Sequence, residues 1–193
     1  PQNPKTPGPN VEGNYLLINM DLSFNTREHL KAEGALSHFL AAADHLNHCR
    51  FSACHEELAL IPAEDIIEKA IVSHKANKAF YEAGEFLKAY KGSQDLVELL
   101  KKAHEAEEDE GRKADLNYWL LKVQTSVAKV LNKIKDTVKA EDVCDDVLAM
   151  CEAVPVTRQH KFALKALYMK TKNMLNIMEF RKAKELLEDQ AKP

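Results

Sequence analysis

Apolar residues recur every three or four positions along most of this chain. Leu36, Phe39, Leu40, Ala43 and Leu46 share one helical face. The period returns with Ile66, Ile67, Ala70, Ile71 and Ala79, and again with Leu116, Leu120, Val123, Val127, Val130, Leu131 and Ile134. Strict alternation, the mark of a half-buried strand, is sustained nowhere. The pattern predicts an all-α chain whose helices come in pairs with short breaks between them. A first helix is expected from an N-cap at Asn25 or Thr26 to about Cys49, and RFSACHEELALI resumes after a break near Cys49–Arg50. Pro62 opens the next helix, with acidic residues in its first turn. Gly84 then separates it from EFLKAYKGSQDLVELLKKA, as a turn residue able to take positive φ. The charge run HEAEEDEGR, 104–112, reads as a frayed helix end and loop closing at Gly111. A long helix around 113–134, a shorter partner stopped by Pro155, and a final pair from TRQHKFALKALYMK onward complete the series.

Two segments lack this period. Residues 1–13 open with PQNPKTPGPN and read as an extended tail. Residues 14–27 contain the apolar NYLLINMDLSF and read as a lead-in. The helical domain is therefore expected over 28–193.

Composition adds exclusions. Lys and Arg number 27 against 30 Asp and Glu, a formal net charge of −3, so no global charge draws the chain to nucleic acid or an anionic membrane. Six glycines and seven prolines leave the interior nearly free of helix breakers. No run approaches the roughly 18–20 apolar residues of a membrane-spanning helix. Cys49, Cys54, Cys144 and Cys151 form no CxxC pair and read as reduced, buried thiols. The expected setting is intracellular, cytoplasmic or nuclear.

The breaks align with one another. EFLKA (85–89) and EFRKA (179–183) place an aromatic residue three before an alanine. DTVKA (136–140) keeps Ala140, and RFSAC (50–54) has Phe51 and the small Cys54. Six residues before the aromatic position stand His45, Phe80, Leu131 and Met174; nine before it stand the slim Ala42, Asn77, Ala128 and Thr171. In these features the chain resembles the tetratricopeptide repeat family, which stacks helix–turn–helix units of about thirty-four residues. The spacing between breaks is not constant here, and the family's Trp-Leu-Gly opening is missing. The resemblance implies antiparallel hairpins stacked as a TPR-like right-handed α-solenoid. The alternative is an irregular helical bundle whose hairpins mimic repeats.

Signals of catalysis are few. There is no GK[ST] phosphate loop, no GxSxG, and no HExxH. His38, His45 and Cys49 share a helical face and are candidate metal ligands, but they do not make a four-ligand zinc set. Asp142, Asp145, Asp146 and Glu152 read as a solvated acidic face, and Tyr118–Trp119 as a plug between helices. No cofactor is expected.

The resemblance implies that the first helix of each unit lines a concave groove. The residues left to face it are His74, Lys78 and Tyr81; Lys122, Thr125, Lys129 and Asn132; and Lys165, Tyr168 and Lys172. That groove is basic in a chain that is acidic overall. It suits a non-enzymatic scaffold or adaptor whose lysines hold the carboxylates of a partner's peptide or helix. The competing expectation is a helical bundle with a metal- or ligand-dependent activity at the His/Cys cluster. Nucleic-acid binding by the basic helices of 158–184 is disfavoured by the acidic stretches 105–110 and 141–152.

Overall fold

The computed structural model describes residues 29–30, 33–153 and 160–190. The tail 1–13, the lead-in 14–27, the N-cap at Asn25 or Thr26 and the stop at Pro155 lie outside the described residues. Among the described residues every regular element is helical. By their contacts the residues fall into two compact units, one up to Pro62 and one from Ala63.

The first unit holds α1 (Ala35–Asn47) and α2 (Phe51–Ala59). Ala35, Phe39, Ala42 and Leu46 of α1 are buried, as are Cys54 and Leu58 of α2, and the two helices pack together. His38 Nδ1 lies 2.7 Å from Glu57 Oε2 across the pair. The unbroken helix expected to reach Cys49 from the N-cap near 26 is corrected here. Gly34 adopts φ 78°, outside the helical region, and α1 begins after it.

The second unit holds α3 (Ile66–Glu82), α4 (Phe86–Ala106), α5 (Glu110–Lys133), α6 (Thr137–Ala153), α7 (His160–Asn176) and α8 (Phe180–Gln190). Each packs on the next in the chain, and α5 also touches α3 on one side and α7 on the other. The first helices of the three pairs are thus neighbours. Helix α5 is central, with Trp119, Leu120, Leu121, Val123, Val127, Ala128 and Leu131 all buried.

Side-chain caps set two helix starts that the sequence misplaces. Pro62 precedes α3 without beginning it. Asp65 is the N-cap, its Oδ1 accepting from the Ile67 N–H at 2.8 Å, while the Glu68 carboxylate accepts from the Asp65 N–H at 3.3 Å. This reciprocal box satisfies two N–H groups that a helix start would otherwise leave unpaired. The run 104–112 is not a long frayed loop either. Helix α4 continues to Ala106, and Asp109 caps α5 by accepting from the Arg112 N–H at 2.7 Å. Gly111 is therefore inside the first turn of α5. Arg112 fastens the connection by pairing with Glu107 at 2.9 Å and with Asp65.

Four turns between paired helices have one geometry. Their central residues, Cys49, Gly84, Lys135 and Met178, have φ of 56°, 80°, 64° and 62°. In each, the next N–H reaches back five residues: Arg50 to His45, Glu85 to Phe80, Asp136 to Leu131, Glu179 to Met174. The central N–H reaches back three, for example Gly84 to Tyr81 at 3.1 Å. This is the Schellman arrangement, which closes the carbonyl end of a helix through one left-handed residue. The turns coincide with the breaks read from the sequence. The slim residues of that register, Ala42, Asn77, Ala128 and Thr171, are all buried, and so are Cys54, Ala89, Ala140 and Ala183. Small side chains at these points let the paired helices approach. At Gly92 the approach is closest: a Cβ there would lie 2.3 Å from Asn77 Oδ1.

Among the described residues no helix is long and apolar enough to cross a membrane.

Candidate functional site

Identical turns give equivalent positions on α3, α5 and α7. Lys78, Lys129 and Lys172 each stand eight residues before the first residue of their pair's second helix, and Lys122 and Lys165 each stand fifteen before it. The shared register brings part of the expected lysine set together on adjacent helices.

Lys129 is the focus. Its Nζ lies 4.1 Å from the centroid of the Tyr81 ring and 4.0 Å from Glu82 Oε1. Burial pushes its pKa below the usual lysine range. Glu82 opposes that shift, while Lys78, Lys133 and Lys165 add to it. Four ammonium groups therefore share one region with Glu82 among them. Tyr81 packs edge-on against Phe86 with centroids 5.4 Å apart, and its phenol pKa is raised by burial and then by the charge of Glu82.

A second group lies about two turns, roughly 10 Å, earlier on α5. Lys122 Nζ stands 4.3 Å from the Trp119 ring centroid and 5.9 Å from that of Tyr118. Lys161 stands 4.9 Å from the Tyr118 ring and 5.1 Å from that of Phe162. Tyr118 meets both Trp119 and Phe162 edge-on, and His74 does the same to Trp119 at 6.0 Å. Cations over aromatic faces gain attraction from the ring quadrupole, about 0.5–1 kcal/mol at exposed sites. Trp119 itself is fully buried and fills the space between helices.

The expected set is thus divided. Lys78, Tyr81, Lys129 and Lys165 converge; Lys122 and His74 belong to the second group. Lys172 is exposed on α7, two turns beyond Lys165. Asn132 is half-buried, and its Oδ1 has no hydrogen-bond partner among the described residues. Tyr168 is exposed on α7, one turn from the exposed Leu164. Thr125 does not face outward: it is buried, and its hydroxyl donates to the Leu121 carbonyl at 2.7 Å. The cause is that α7 covers that side of α5. Sequence reading missed Lys133, Glu82 and Lys161. Lys133 was legible as the i+4 neighbour of Lys129, whereas Glu82 and Lys161 needed the packing.

The metal candidates do not assemble. His38 is engaged with Glu57. His45 Nδ1 is buried without a hydrogen-bond partner among the described residues. Cys49 is exposed at the left-handed turn, which corrects the expectation that every cysteine is buried. Its place is a turn apex and not a helix face. Among the described residues no three His, Cys, Asp or Glu side chains are placed to hold a metal ion. Cys144 is buried, and its thiol pKa is pushed up to about 12, chiefly by burial and then by Asp145. Burial also raises Cys151, which is half-buried. Neither offers a thiolate nucleophile near neutral pH. Asp142, Asp145, Asp146 and Glu152 are exposed on α6, with Asp145 paired to Lys170 of α7.

No protein-family model matches the chain, and no curated protein or solved structure matches it.

Proposed function

We propose that this chain is a non-enzymatic interaction scaffold whose lysine face on α3, α5 and α7 holds an acidic peptide or helix of a partner protein. In this reading α3–α8 form a TPR-like solenoid. The three matching turns at Gly84, Lys135 and Met178, the buried small positions and the side-by-side first helices support that stack.

The single observation that carries the binding role is the setting of Lys129. The fold partly desolvates this ammonium group, although its side chain stays 56% exposed, and brings the charges of three further lysines to bear on it, against Glu82. Such an arrangement is costly to the free protein and favours an anionic ligand that neutralises it. Aromatic surfaces flank it, from Tyr81 beside it to Tyr118 about three turns away along α5, and give apolar contact to a peptide's side chains. Carboxylates reaching Lys78, Lys129 and Lys165 would make charge-assisted hydrogen bonds.

The test is affinity capture from native lysate with quantitative mass spectrometry, comparing the protein with its Lys129→Glu/Lys172→Glu variant. Both lysines are exposed, so helical content and melting temperature should hardly change. The expected result is at least one protein enriched by the parent and lost by the variant. An identical set of captured proteins would remove the lysine face from consideration.

A further inference from the structure

A second surface follows from comparing equivalent positions along the second unit. On α5, Leu121, Thr125 and Ala128 lie on one stripe and are buried. Leu121 and Ala128 form a core cluster with Cys144 and Val147 of α6 and with Phe162 and Ala166 of α7. Helix α7 thus closes the seam between α5 and α6 by laying a bulky and a small residue, four apart, into it. Four residues further on, Lys170 pairs with Asp145 of α6 at the rim.

The same register on α7 is Leu164, Tyr168 and Thr171, and there the seam is open. Leu164 is 56% exposed and Tyr168 65%. On α8, Leu187 occupies the position that Cys144 has on α6, yet it is 48% exposed where Cys144 is fully covered. A groove of about 390 Å³ runs here between Leu175 and Thr171 on one side and Phe180, Ala183 and Leu187 on the other. Thr171 is only 9% exposed, and its Oγ1 has no hydrogen-bond partner among the described residues. Glu188 stands on the rim at the position of Asp145, with Lys184, which also lines the groove, 3.5 Å from its Oε1.

We infer that this groove binds an amphipathic α-helix of a partner protein, carrying a bulky apolar residue, a small residue and a lysine or arginine at positions i, i+4 and i+8. It lies across α7 and α8 as α7 lies across α5 and α6. The bulky and small residues enter the apolar seam, and the cation takes the place of the exposed Lys184 on Glu188, as Lys170 meets Asp145. A second copy of this chain is a poor occupant. Its own bulky–small–cation triplet, Phe162, Ala166 and Lys170, is committed to the core, and no exposed face of another described helix carries that triplet. This surface is distinct from the lysine face, so its test does not depend on the proposed function.

The probe is a fluorescein-labelled peptide of residues 160–176, HKFALKALYMKTKNMLN, which carries the triplet. It is titrated against the full chain by fluorescence anisotropy. Saturable binding is expected, weakened about tenfold or more by Leu187→Glu in the protein. A Lys170→Glu peptide should bind more weakly, and Glu188→Lys in the protein should restore it. Leu187 is half-exposed, and unchanged Trp119 fluorescence verifies that the variant is folded. Absence of saturable binding at about 100 μM, or binding indifferent to Leu187→Glu, would overturn the inference. So would a concentration-dependent dimer, seen by light scattering and abolished by Leu187→Glu, because the occupant would then be a second copy.

Discussion

Replacing a glycine inside a helix with alanine ordinarily stabilises the helix by about 1 kcal/mol. At Gly92, well inside α4, the opposite is expected. The new Cβ would lie 2.3 Å from Asn77 Oδ1 and 3.1 Å from its Cγ. Asn77 is buried, so its amide cannot swing into solvent. Relieving the overlap requires α3 and α4 to separate or the amide to leave its rotamer, a strain of about 1–3 kcal/mol. The strain exceeds the propensity gain, and Gly92→Ala should destabilise the second unit by about 1 kcal/mol. In an Asn77→Ala background the obstruction is gone and the same substitution should stabilise by about 1 kcal/mol. Asn77→Ala alone should cost little, because its Nδ2 is buried without a hydrogen-bond partner among the described residues, and losing it removes a desolvated donor. The double-mutant cycle therefore predicts a coupling of about 2 kcal/mol and a change of sign. Urea unfolding followed by the fluorescence of Trp119, the only tryptophan, reports on this unit. If Gly92→Ala stabilises both backgrounds equally, Asn77 does not pack on α4 as described.

Other consequences can be checked alongside. A Cβ at Gly84 meets nothing within 4 Å, so Gly84→Val should cost about 1–2 kcal/mol through backbone strain alone, and Met178→Gly should gain about 1 kcal/mol; urea midpoints decide both. Cys49 should react with a thiol reagent at pH 8 in the folded protein, whereas Cys144 should react only on unfolding, as peptide mapping after labelling would reveal. Because the folded pKa of Cys144 is raised to about 12 from an ordinary 9.0, its contribution to stability is intact below about pH 9 and is lost as pH rises toward 12. Cys144→Ala should therefore flatten the alkaline limb of a stability–pH curve, and an unchanged limb would count against that assignment.

Much of the architecture was legible in local signals. The three-to-four periodicity located the helices, and the breaks fell on the four left-handed turns. The slim residues at Ala42, Asn77, Ala128 and Thr171 marked where helices approach. Helix starts were harder, because a cap is decided by side-chain geometry: Pro62 looked like a start, yet Asp65 with Glu68 makes one. The run 104–112 looked like a loop because charge density suggests solvent. Arg112, bridging Glu107 and Asp65, is what lets Asp109 begin α5 so soon. Of the candidate site, residues on one helix face could be selected by period alone, which found Lys78, Lys129 and Lys165. Period could not say which stripe the next helix covers, so Thr125, which is buried, reads from the sequence as facing outward. The contribution of Glu82 is a contact between helices, invisible before α3 and α5 are set side by side.

Lys129 offers the most direct test of the binding role. Its lowered pKa means that the fold disfavours the charged form, a cost present at neutral pH and relieved as pH rises through the folded pKa. Methionine keeps the apolar contact with Tyr81 and removes the charge. The decisive measurement is the Kd of a partner peptide recovered by capture, determined calorimetrically for the parent and for Lys129→Met, with melting temperatures of both. Lys129→Met should weaken binding about tenfold or more while leaving the melting temperature equal or slightly higher. An unchanged Kd would contradict the lysine face as the binding site.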